Sequence, residues 1–154
     1  MAITELIKKA GATSGYDEDL YAWAQEQAAL LRAGRFSEID VANIAEELET
    51  LGRSEFRAYA RAYRVLLLHM LKWDHQPTKR SRSWWVSIAV QRGRLKEVLD
   101  DNPSLKSRRQ EAIARAYREA RLMAVDETGL PLASFPEACP YDEQAINARS
   151  FELD

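Results

Sequence analysis

The stretch from Ser37 to Trp73 constrains the fold of this chain more than any other. Its larger apolar residues are Val41, Ile44, Leu48, Leu51, Tyr59, Tyr63, Leu66, Met70 and Trp73, at successive steps of 3, 4, 3, 8, 4, 3, 4 and 3. Steps of three and four keep side chains on one face of an α-helix, and eight residues return to that face after about two turns. The spacing predicts one rod of roughly 55 Å at about 1.5 Å per residue, with shorter helices laid against it. Leu48, Leu66, Met70 and Trp73 are expected inside, Arg57 and Arg61 outside. Gly52, mid-way along, costs about 1 kcal/mol relative to Ala in a helix. It marks a kink or a close crossing, and the main alternative to one rod is a break at 51–54.

With 154 residues, 46% hydrophobic and 30% charged, the chain has the size and balance of one ordinary globular domain rather than of a disordered segment. Its lone cysteine, Cys139, excludes an internal disulfide and disfavours an all-cysteine zinc site. The start, MAITELIKKAGATSG, lacks the apolar run of a secretory signal. The longest apolar run elsewhere, Val65–Leu68, is far too short to cross a bilayer. A soluble cytoplasmic protein without membrane contact is the expectation. The net charge of -2 is spread unevenly, with -6 over residues 1–52, +10 over 53–121 and -6 over 122–154. Such segments either pair internally, the default reading, or offer a basic surface to an anionic partner.

Punctuation divides the chain further. Residues 1–15 read as an N-terminal arm with a helical turn at Ile3–Lys9. A first helix at Asp17–Ala33 starts on three acids, stops at Gly34, and buries Leu20, Trp23, Ala24, Gln27, Leu30 and Leu31. Ser37 is the expected N-cap of the long helix. Past a turn centred on Pro77, Ser83 should cap a third helix, Trp84–Leu99, whose face is Trp84, Trp85, Ile88, Leu95, Val98 and Leu99. Ser104 should cap a fourth, Leu105–Glu127, lined by Ala112, Ile113, Ala116, Tyr117, Ala120, Met123 and Ala124. Gly129 and Pro131 stop it. Residues 130–154 then form an extended, Pro-rich tail over the surface, closed by a short helix at Asp142–Arg149. The expected fold is all-α, a single domain over 1–154 with four main helices built on the long second one.

Chemistry is sparse. Phosphate-cradling glycine loops and nucleophile elbows are absent. Cys139, between Ala138 and Pro140 with no histidine nearby in sequence, reads as a packed, inert thiol. Di-iron bundles need Glu-x-x-His on two helices, but Leu66 and Lys72 stand three residues before His69 and His75. No catalytic residue, metal site or cofactor is therefore assigned. His69 reads as a helix-face residue bonded to a neighbouring helix. Arg53, Arg57, Arg61 and Arg64 fall opposite the apolar face and read as a solvated, ion-paired surface. The candidate for binding an anion or a partner is the group Lys72, His75, Lys79, Arg80, Arg82 and Trp84. Cations beside an aromatic combine phosphate contact with base stacking. Against nucleic acid stand an acidic pI of about 5.8 and the place of Trp84 at the start of an amphipathic helix.

Several blocks occur in a fixed order from Tyr16 to about Tyr141: YDEDLYAWAQEQAALLRAGRFSEIDVANIAEELETLGRSE, LLLHMLKW, SRSWWVSIAVQR, DNPSLK, AYREAR and TGLPLASFPEACPY. Together they resemble a bacterial family known as domain of unknown function twenty-nine. The resemblance implies an all-helical fold and a bacterial cytoplasmic setting, with no assigned activity and no catalytic residue to carry over. The ending, AINARSFELD, departs from the leucine- and proline-rich ending of that family. The expected function is a non-catalytic helical module that binds a protein partner. The alternative is an accessory nucleic-acid-binding protein using residues 72–85, and a helical metalloenzyme is the third reading.

Overall fold

The computed structural model describes residues 15–153, so the expected turn at Ile3–Lys9 lies outside the described residues. Among them are five α-helices and no strand: α1 (Leu20–Arg32), α2 (Val41–His75), α3 (Arg82–Asp101), α4 (Arg109–Thr128) and α5 (Glu143–Ala148). Short 3-10 turns lie between them at Phe36–Glu38, Pro77–Lys79, Pro103–Arg108 and Leu132–Ser134. The fold is all-α with a long second helix, as the periodicity predicts.

Helix starts are set by side chains that take over orphan backbone N–H groups. Asp19 accepts from the Ala22 amide at 2.9 Å, so α1 begins later than the acid run suggests. Asp40 accepts from the Asn43 amide at 3.2 Å and from its side chain at 2.7 Å. The long helix therefore starts at Val41, and Ser37 lies in a 3-10 turn instead of capping it. Ser81, not Ser83, caps α3 through the Trp84 amide at 3.3 Å. Ser104 caps nothing, because the turn Pro103–Arg108 runs straight into α4. Gly34 and Gly129 end their helices with φ of 70° and 71°, left-handed values that glycine adopts without steric cost. Gly52 ends nothing. α2 is unbroken over 35 residues, and a Cβ at Gly52 would meet nothing within 4 Å. There is neither a break nor a close crossing at that point.

The chain divides into two compact units, Met1–Gly52 and Arg53–Asp154, with α2 contributing to both. In the first, α1 buries Trp23, Gln27 and Leu30, whereas Leu20, Ala24 and Leu31 of the expected stripe are exposed. The Gln27 side chain accepts from the Asp40 amide at 2.7 Å. Tyr16 meets the Trp23 ring edge-on at 5.0 Å and donates its hydroxyl proton to Glu47. That carboxylate pushes the Tyr16 phenol up to about 12.

In the second unit α2 packs against α3 and α4. Tyr59, Tyr63, Leu66, Met70 and Trp73 share a core with Ile88 and Leu95 of α3 and with Ala112, Ala116, Ala120 and Ala124 of α4. Alanines one turn apart keep one side of α4 thin, so large α2 side chains fit against it. Trp85 and Met123, expected on buried faces, are exposed, and Trp84, Val98 and Leu99 are only part-buried at the margin of the core. The tail is no mere surface strap. Phe135, Ile146 and Phe151 are buried in the same core, because a Pro-rich segment carrying large apolar side chains gains most by sinking them.

Candidate functional site

The basic group around residues 72–85 is largely engaged within the second unit. Lys72 is buried, pairs with Glu127 of α4 and lies 4.6 Å above the Trp84 ring. A charge with both an ion-pair partner and an aromatic face has little capacity left for an external anion. His75 bonds the Leu71 carbonyl at 2.9 Å and lies tilted against the Phe135 ring at 4.8 Å. Arg80 donates to the Trp73 carbonyl at 3.0 Å and covers the Trp73 ring. Lys79 and Arg82 are exposed. His69 bonds Val65 of its own helix at 2.8 Å rather than a neighbouring helix, and burial pushes its pKa down. Of the arginines on α2, Arg57 and Arg61 are exposed and Arg64 pairs with Glu119 at 2.7 Å.

The end of α2 also anchors the chain terminus. Arg149 grips both Asp74 oxygens, at 2.8 and 2.5 Å, while the Tyr141 hydroxyl donates to Oδ2 at 2.8 Å. Burial pushes the Asp74 carboxyl up, but the bonds from Arg149 and Tyr141 outweigh it and hold it below the ordinary range. A carboxylate held low in the folded state contributes stability that is complete above its unfolded pKa of about 3.9, and that is lost as pH falls through the folded value. Asp74→Asn should therefore lower the unfolding free energy near pH 7 by about 1–2 kcal/mol, a figure reduced for partial exposure. Urea titrations should show this gap closing as pH falls below the unfolded carboxyl value and on through the lower folded one. An undiminished gap in acid would assign the loss to packing and not to charge.

The first unit presents a different surface. On α2, Val41, Leu48 and Leu51 fall within one narrow arc, yet all three are exposed, as are Leu20, Tyr21 and Phe36. Leu48 stands 63% exposed, against expectation. The cause is where α1 docks. Its bonds go to Asp40 and, through Tyr16, to Glu47, and residue 47 lies about 100° around the helix from Leu48. The apolar arc is left beside that contact, not under it.

Cavities also open in the second unit. One, of about 480 Å³, lies between α4 and the tail, lined by Ile113, Tyr117 and Cys139 among others. Burial pushes the Cys139 thiol up, which favours the unreactive protonated form. Another holds Arg92, Lys96, Lys106 and Arg109. Sequence reasoning missed this second group because its members come from separate elements and only folding brings them together. Among the described residues, no group of three or more His, Cys, Asp or Glu side chains is arranged to hold a metal ion. No helix there is long and apolar enough to cross a membrane.

The family model described as domain of unknown function DUF29 matches residues 16–152, a span that takes in most of the ending AINARSFELD. No curated protein and no solved structure matches the chain.

Proposed function

The chain belongs to the DUF29 family, and from its own surfaces we propose a non-catalytic interaction module whose first unit receives a basic, amphipathic helical segment of a partner protein. The observation that supports this reading is the exposed arc Val41, Leu48 and Leu51 on α2. An apolar stripe at helical spacing is what a helix-docking surface presents. Glu47 and Glu49 border it, and the unit carries a net charge of -6. A partner with cations flanking its apolar residues would complement that field. A second copy docking through the same arc would set two acidic surfaces together. A bacterial cytoplasmic setting belongs to the same reading, with a lone cysteine fitting a reducing compartment.

Fluorescence anisotropy with a labelled model peptide tests it. The peptide is an 18-residue amphipathic helix with leucines at helical spacing bordered by lysines, compared with a copy bordered by glutamates. The lysine form should bind in a salt-sensitive way, and Leu48→Asp should weaken it about tenfold or more, since covering a leucine is worth about 1.5–3 kcal/mol. Equal binding of both peptides, or indifference to Leu48→Asp, would sink the reading. Sedimentation showing a dimer that Leu48→Asp dissolves would replace the partner with a second copy. The accessory nucleic-acid reading is left with Lys79 and Arg82 as the exposed cations of its group that have no partner among the described residues, and two phosphate contacts give a salt slope of only about -1.4 on single strands.

A further inference from the structure

We propose that the second unit carries a binding site for the phosphomonoester group of a small molecule, in a cavity of about 350 Å³ lined from α2, α3, α4 and α5. Local geometry gathers its cations. Arg92 and Lys96 stand one turn apart on α3, and Lys106 and Arg109 stand three residues apart where the 3-10 turn enters α4. All four line the cavity. Two carboxylates answer them, Asp100 bonding Lys96 at 2.5 Å and Glu143 bonding Arg109. Arg92 instead donates to neutral acceptors, the carbonyls of Ile146 at 2.8 Å and Ala145 at 3.1 Å. Lys106 has no ion-pair partner among the described residues. Four cations against two carboxylates leave two positive charges unanswered.

That surplus matches a phosphomonoester, which is a dianion above its second pKa of about 6. One further observation points the same way. Burial and the charge of Arg149 push the Arg92 guanidinium below its ordinary value, a strain that a bound anion relieves. Tyr63 lines the cavity, with its hydroxyl 3.2 Å from that of Tyr59. Burial pushes its phenol up, so it remains a neutral donor. Leu95 and Leu99 add an apolar wall. The volume lies at the small end of the ligand range of about 300–1,000 Å³ and leaves room for an organic group beyond the phosphoryl oxygens. A phosphodiester strand, with one charge per phosphate, matches a two-charge pocket less well.

Calorimetric titration of the full chain with phenyl phosphate, inorganic phosphate and a short single strand lacking terminal phosphates, at ionic strength matched by sodium chloride, tests the site. Phenyl phosphate should bind once per chain and more tightly than inorganic phosphate, and should weaken as pH falls through about 6. Lys106→Glu, at an exposed position, should keep the wild-type urea midpoint yet weaken binding about tenfold or more. Arg109→Lys, which keeps the charge but loses the guanidinium fork, should weaken it as well. If that variant fails to fold, Lys106→Glu alone carries the test. The proposal is overturned by no binding of phenyl phosphate, by no preference for it over inorganic phosphate, or by affinity indifferent to Lys106→Glu. Tighter binding of the unphosphorylated strand, abolished by Lys106→Glu, would also overturn it in favour of a nucleic-acid backbone.

Discussion

Leu66→Ala should destabilise the protein by about 2–5 kcal/mol, while Leu48→Ala should stay within about 0.5 kcal/mol of the wild type. The two leucines carry the same periodic signal, eighteen residues or five whole turns apart at about 3.6 residues each. Their surroundings are opposite: Leu66 is 0% exposed within the second unit's core and Leu48 is 63% exposed. Removing three carbons from Leu66 loses their burial and leaves a cavity that the tightly packed ring and alanine neighbours cannot fully close. Removing them from Leu48 takes away surface already in water, and alanine is the better helix former. Urea midpoints with unchanged slopes would read out both values. Comparable losses at the two positions would mean that the arc on the first unit is covered after all, and the docking proposal would fall with that result.

Phe135→Ala should cost about 3–5 kcal/mol, an effect as large as any in the helices although the residue lies in the Pro-rich tail. Its ring is 1% exposed and sits 4.8 Å from His75. The backbone around it is tied as well: Arg121 donates to the Phe135 carbonyl at 3.1 Å and the Tyr117 hydroxyl to the Pro136 carbonyl at 2.6 Å. Truncation leaves a hole and loosens two bonds to α4. Leu132→Ala, three residues earlier and exposed, is the control and should change little. Thermal unfolding of both variants would decide the matter. A Phe135→Ala midpoint equal to that of Leu132→Ala would show that the tail contributes no core.

Pattern alone carried much of the fold. The period of α2, the glycines that end α1 and α4, the alanine side of α4 and the short closing helix are all written in local sequence, because each depends on backbone preferences and the spacing of neighbours along one helix. Cap positions were legible only to within a few residues. Ser37 and Asp40, or Ser81 and Ser83, are comparable acceptors, and the choice between them follows from how the preceding turn approaches.

What local sequence could not settle was which surfaces end up covered. Val41, Leu48 and Leu51 carry the same periodic signal as Leu66, Met70 and Trp73, but the first set is exposed and the later set is buried in a core shared with α3 and α4. Cations gave the same lesson in reverse. Lys72 and Arg80 read as a binding patch and are held by Glu127, Trp84 and Trp73. Arg92, Lys96, Lys106 and Arg109, unremarkable along the chain, converge on one cavity. The sequence by itself determined the helices, their order and their amphipathic phase, since these arise from interactions a few residues apart. The tertiary structure alone decided which apolar arc is buried and which charges are paired, since both depend on neighbours supplied by residues some fifty positions away, as between Lys72 and Glu127.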